Sequence, residues 1–189
     1  MVAQRLNGID LDNLQTTIST VQEHPELARF KFRTKNRWVN GTHNRASVKE
    51  FYEAGIPDES RDCTMIFEED EPPVLLGENL GANPVEYILV GLSGCLTTSL
   101  VAQAAARGIP LKSVESELEG DLDVRGFLGL SEAVRNGYEG IRVKFKIESD
   151  APEQDLQELV ELAQQRSPVF DIVTNPVPVS VTFEKRGTR

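Results

Sequence analysis

Apolar and polar residues recur along this chain in patterns that predict its elements one after another. In "DLDNLQTTISTVQEHPE" the apolar positions fall at helical spacing, which predicts a helix from about Leu11 to Glu23, stopped near Pro25. In "RFKFRTKNRWV" Phe30, Phe32 and Trp38 share one parity, and Arg29, Lys31, Arg33, Lys35 and Arg37 take the other. That is the pattern of one half-buried strand with a basic outer face. Asn40-Gly41 is the strongest hairpin signal and is expected to form a type I′ turn. The chain then returns through "THNRASVKEFY", and a third strand is expected around "CTMIFEE", with Cys63 packed beside Met65 and Phe67.

Further on, "SVESELEGDLDV" sets Val114, Leu118, Leu122 and Val124 against an acidic face, and "IRVKFKI" sets Ile141, Val143, Phe145 and Ile147 against a basic one. An acidic strand followed by a basic strand predicts an antiparallel pair with opposite charges facing solvent. All these charge runs read as the solvated faces of a sheet. Asp150, with Glu153 three residues on, is expected to cap the next helix. That helix carries Leu156, Leu159, Val160 and Ala163 and ends near Arg166; "NPVPVSVTFEK" reads as a closing strand.

Between these halves lies "NPVEYILVGLSGCLTTSLVAQAAARGIP", in which only Glu86 is charged from Val85 to Ala106. A run of this length invites a membrane reading. Its punctuation belongs to a soluble helix instead: Asn83 as N-cap, Pro84 in the first turn, Gly108 and Pro110 beyond the end. Gly91, Ser93, Thr97, Thr98 and Gln103 also dilute it. A helix apolar on every side is buried on every side. At 1.5 Å per residue it would run ~39 Å, too far for one small chain to wrap. The expectation is therefore a homodimer around paired central helices, with no membrane partner.

Composition narrows the reading further. With 189 residues, the chain is expected to hold one domain, residues 28–189, behind a helical extension, residues 1–27. Its formal net charge of −10 disfavours a nucleic-acid partner, which requires a basic face. The opening "MVAQRLNGIDLDNL" carries no export pattern, so a cytoplasmic protein with reduced thiols is expected. Cys63 and Cys95 make no disulfide framework, and no close spacing of histidine and cysteine suggests a metal. Neither metal nor cofactor is expected.

This element order, with "GANPVEYILVGLSGCLTTSL" and "LVELAQQRSPVFDIVTNPVPV", resembles the OsmC/Ohr superfamily, the osmotically inducible protein C and organic hydroperoxide resistance proteins. The likeness runs from about Phe30 to Lys185. It implies an α+β fold of antiparallel sheets wrapped around long central helices in an intertwined homodimer. It also implies a thiol-dependent peroxidase: the helix cysteine attacks an organic hydroperoxide, a second cysteine resolves the sulfenic acid, and an external dithiol restores the enzyme. Cys95 falls at the attacking position. Ser167, before Pro168, stands where the resolving cysteine is usual, and an oxygen cannot form that disulfide; serine before proline also reads as an ordinary N-cap with its first-turn proline. The family's glutamate follows the proline of "NP", where this chain has Val85, with Glu86 one residue later. Its activating arginine falls at Thr42, with His43 and Arg45 close by in sequence.

Thiol chemistry sets the remaining question. An ordinary thiol is mostly protonated at neutral pH, and peroxide reduction needs the thiolate. Cys95 lies twelve residues beyond Asn83, out of reach of the helix dipole. Activation must come from another element, with Arg37, His43 and Arg45 as candidates and Arg125 and Arg166 behind them. Two readings stay open. Cys95 is either the catalytic thiol of an organic hydroperoxide peroxidase, or packing in a non-catalytic OsmC-like dimer that binds a small apolar ligand in its interface cavity.

Overall fold

The structure is a computed structural model that describes residues 4–187. It opens with a small hairpin of β1 (Arg5–Leu6) and β2 (Ile9–Asp10). Asp10 then caps α1 (Leu11–Glu23), its carboxylate accepting from the Asn13 amide at 3.0 Å. Six strands follow: β3 (Phe30–Phe32), β4 (Lys35–Asn40), β5 (His43–Val48), β6 (Phe51–Glu53), β7 (Ile56–Asp58) and β8 (Met65–Glu69). They form two antiparallel three-stranded sheets, ordered β3-β6-β7 and β4-β5-β8. Next come the long helix α2 (Pro84–Ala106), strand β9 (Ser113–Asp121), the single turn α3 (Val124–Phe127), strand β10 (Gly140–Glu148), and helices α4 (Glu153–Arg166) and α5 (Pro168–Thr174).

The C-terminal half builds the core. Leu100 and Ala104 of α2 meet Leu159 and Ala163 of α4, and Val114, Phe145 and Ile147 of the β9–β10 hairpin close over them. The hairpin keeps an unbroken antiparallel register from Ser113↔Glu148 to Asp121↔Gly140, with alternate residues half-buried. The expected α+β class, the two charged strands and the α2 boundaries all hold. By length and composition α2 could cross a membrane, yet its Leu92, Leu96, Leu100 and Ala104 stripe is the protein's own core.

The N-terminal half departs from the sequence reading in several places. The single strand expected through Arg29–Val39 is two strands in different sheets, broken at Arg33-Thr34. The expected three strands are six. Asn40-Gly41 is not the type I′ turn: the β4–β5 connection turns on Gly41 and Thr42, and only Gly41 has positive φ, 53°. Glycine first and a negative φ second is the pattern of a type II′ turn. True I′ pairs, positive at both central residues, occur at Asn7-Gly8 and Ala54-Gly55. Cys63 lies before β8 and is exposed, so it is not core packing.

Two C-terminal expectations also fail. Pro152, not Asp150, is the N-cap of α4, because Asp150 is drawn to Lys112 Nζ at 2.5 Å. The "NPVPVSVTFEK" stretch joins no sheet among the described residues, and Val179, Val181 and Phe183 stand 80–94% exposed.

Candidate functional site

The start of α2 is fixed by a reciprocal cap. Asn83 Oδ1 accepts from the Val85 amide at 3.0 Å, and Glu86 Oε2 accepts from the Asn83 amide at 2.8 Å. Pro84 supplies the first turn without an amide to satisfy. Glu86 is therefore the far half of a capping box. Nine residues separate it from Cys95, about 13 Å along the axis.

Cys95 is a free, half-buried thiol in the middle of α2. At 3.6 residues per turn it sits on the border between two stripes. On one side run Leu92, Leu96 and Leu100, at most 2% exposed against the core. On the other run Gly91, Gly94 and Thr98, which the chain leaves uncovered. Around the N-terminal turns Ile88 and Val90 are 47% and 60% exposed. A Cβ built on Gly94 meets nothing within 4 Å, so no neighbour within the chain demands glycine there.

The hairpin candidates gather elsewhere. His43 Nε2 and Arg45 Nε each reach one oxygen of Glu68, both at 2.6 Å. The His43 hydrogen bond first, and the Arg45 contact after it, hold the Glu68 carboxyl below its usual range. Strand alternation decides where this trio points. Ala46 is buried and Phe67 stacks edge-on against Tyr87 of α2, so Arg45 and Glu68, one residue away on each strand, face outward. The structure thus brings His43 and Arg45 together on Glu68, with Arg45 exposed and His43 largely buried, and among the described residues it joins neither to Glu86. Arg125 is engaged by Asp123, and Arg166 is exposed at the end of α4.

Ser167 is 2% exposed and caps α5, its Oγ accepting from the Phe170 amide at 3.2 Å. Helix α5 lies along α2, with Val169 Cγ1 4.0 Å from where a Gly91 Cβ would be. Next to this contact runs a groove of about 450 Å³ floored by Ile88, Leu92, Val143, Phe170 and Val173, with Arg135 among its lining. Tyr138 closes its end by donating to the Val85 carbonyl at 2.9 Å, and burial pushes its phenol upward.

Sequence reasoning missed Asp70. This buried carboxylate accepts from Thr42 Oγ1 at 2.6 Å and from the amides of Glu71, Glu78 and Leu80 at 2.8–3.1 Å. The Thr42 hydroxyl, then the backbone amides, hold it far below the ordinary carboxylate range. Asp70 ties the β4–β5 turn to the loop that launches α2, and the residue at the expected arginine position is spent on that bond. Its only signal in the sequence was an aspartate in a turn-rich stretch, which does not distinguish it from its acidic neighbours.

The family model for OsmC-like protein matches residues 77–182, from the loop before α2 into the C-terminal segment. No curated protein matches the chain. Solved structures sharing the fold include an OsmC-like protein from Mycoplasma pneumoniae, with TM-score 0.60 and 16% identity over 77% of this chain and 89% of that one. An organic hydroperoxide resistance protein OsmC from Legionella pneumophila gives 0.53 and 18% over 75% and 89%. An OsmC-like protein of unknown function from Vibrio cholerae gives 0.53 and 12% over 75% and 92%. Identities this low speak for the fold alone. The family match, however, spans more than half of the 189 residues and takes in α2, the β9–β10 hairpin, α4 and α5, so this chain belongs to the OsmC-like protein family.

Proposed function

We propose that the protein is a thiol-dependent peroxidase that reduces organic hydroperoxides through Cys95. The observation that carries this reading is the placement of Cys95: a free, half-buried thiol halfway along the central helix, one turn from Leu92 of the apolar groove and at the edge of an exposed stripe. The thiolate attacks one peroxide oxygen, the S–O bond forms as the O–O bond breaks, and the alkoxide leaves as an alcohol after taking a proton. Cys95 is left as a sulfenic acid. Ser167 cannot resolve it, and Cys63 is not bonded to it. An external dithiol therefore condenses with the sulfenic acid, releasing water, and its second sulfur frees Cys95 as the dithiol closes to a disulfide. Such a cycle suits the reducing cytoplasm, where we place the protein.

The active form in this proposal is a homodimer. Support comes from the bare flank of α2 with its unhindered Gly94, the outward Phe32 and Trp38, and the unpaired apolar C-terminal stretch. Trp38 is the chain's one tryptophan and is 66% exposed, which makes it the reporter. Sedimentation at micromolar concentration should give a dimer, and dilution should shift Trp38 emission to the red. A folded monomer at that concentration removes the dimer.

Mass spectrometry after cumene hydroperoxide tests the chemistry. Wild type should gain one oxygen on Cys95 and turn over peroxide with dihydrolipoamide; Cys95→Ser should do neither. An unmodified Cys95 in the native protein ends the peroxidase reading. The groove supports a second one, a non-catalytic dimer that holds a small apolar ligand, because the hairpin cations His43 and Arg45 are both engaged by Glu68. Saturable binding of an apolar fluorophore with an inert Cys95 favours that alternative.

A further inference from the structure

We infer that the fork between the two N-terminal sheets is a binding site for a small phosphate-class oxyanion. This site is independent of Cys95 and of the peroxidase reading. Strands β3 and β4 part at Arg33-Thr34, and β5 and β6 part at Lys49-Glu50, so the two ribbons diverge at one level. The divergence opens a cavity of about 130 Å³ lined by Arg33, Lys35 and Lys49 together with the hydroxyl residues Thr34, Ser47 and Thr64. Glu50 is its one carboxylate.

The walls are held in place without neutralising those cations. Thr34 Oγ1 donates to the Ser47 carbonyl at 3.3 Å, Ser47 Oγ to the Lys35 carbonyl at 3.4 Å, and Arg61 Nη1 to the Lys49 carbonyl at 3.2 Å. Arg33 donates to the Tyr52 hydroxyl at 3.2 Å and lies 5.2 Å from that ring's centroid, both neutral partners. Among the described residues, none of the three cations forms a salt bridge. Elsewhere Arg107, Lys112, Arg142 and Lys146 all do. The chain carries a net charge of −10, yet residues 27–49 contain no carboxylate. Like charges gathered at one cavity in an acidic protein create a local positive field that an anion would relieve. An arginine fork, two ammonium groups and the Thr64 hydroxyl match the oxygens of a phosphate. A cavity of this size admits a tetrahedral oxyanion and excludes a peptide or nucleic-acid strand.

Calorimetry on the full chain in low-salt buffer, with phosphate, pyrophosphate, ADP and chloride, tests the proposal. One site per chain is expected, with pyrophosphate above phosphate and no saturable chloride binding. Pyrophosphate binding should weaken roughly tenfold or more in Arg33→Gln and in Lys49→Gln, the loss of one charge-assisted contact. Arg107→Gln, a cation remote from the fork, should bind as wild type. All three positions are exposed, so unchanged far-ultraviolet circular dichroism separates lost binding from lost folding. ADP tighter than pyrophosphate assigns the site to a nucleotide phosphate, and ADP no tighter assigns it to the free anion. Absent saturation, or fork variants that bind as wild type, overturns the site.

Discussion

The β9–β10 hairpin and the N-terminal ribbons are written in the same code but finished differently. Both are antiparallel and alternate apolar with charged residues. On β9–β10 the apolar side closes against α2 and α4, and the charged side neutralises itself through Glu117 with Lys146, and Glu119 and Asp121 with Arg142. On the ribbons, Phe30 and Phe32 are 50% and 70% exposed and stack on each other and on Phe51. Arg37 stands directly opposite Arg45 across β4–β5, a like-charge pair that Glu68 relieves at the Arg45 side only. Alternation specifies that a strand has an apolar face; it does not specify what covers that face. The β9–β10 hairpin finds its cover within the chain, and Phe30 and Phe32 of the ribbons stay largely exposed there.

The largest expected effect sits in the finished half. Leu100→Ala should lower unfolding free energy by about 2–5 kcal/mol, because it empties a fully buried position where α2 meets α4. Phe32→Ala should leave a dilute monomer's stability nearly unchanged and take about 1.5–3 kcal/mol from association instead. Urea midpoints and sedimentation, run on both variants, read the contrast directly. Equal loss of monomer stability from both would erase the distinction between the halves.

Acid offers a second probe, aimed at the N-terminal half. The folded Asp70 carboxyl titrates far below its unfolded counterpart, so the unfolded chain takes up protons first. Its stabilisation is complete above the ordinary carboxylate range and drains away as pH falls below about 4. Glu68, also depressed, adds a loss of the same sign. Asp70→Asn should lower the urea midpoint at pH 7 and flatten its fall between pH 5 and 2. A variant with the wild-type acid profile would show that the Thr42–Asp70 bond does not brace the turn.

Smaller effects complete the series. Ser167→Ala should cost about 1 kcal/mol, the loss of one N-cap, with peroxide turnover per folded dimer preserved. Unchanged stability with lost turnover would give Ser167 a chemical role. Lys146→Gln should have the least effect, since its partner Glu117 is also exposed, and the difference should vanish in 1 M salt. A salt-independent loss would mean the hairpin depends on its ion pairs more than on its apolar face.

Features whose causes lie within a few residues were legible in the sequence. Asn83, Pro84 and Glu86 define the start of α2 by local hydrogen bonds, Ser167-Pro168 defines α5 the same way, and the two nine-residue strands announce themselves by strict alternation. The phrases around Cys95 and Ser167 carried the family. Only the tertiary structure decided the rest, because each remaining feature is set by partners distant in the chain. The strand break at Arg33-Thr34 falls where the chain leaves the β3–β6 pairing for the β4–β5 one. Asp70 captures Thr42 across 28 residues, and Asp150 leaves its helix for Lys112 across 38. A one-residue step in a strand reverses the face a side chain presents. That step is what places Ala46 against the interior and leaves Arg45 on the exposed side, paired with Glu68.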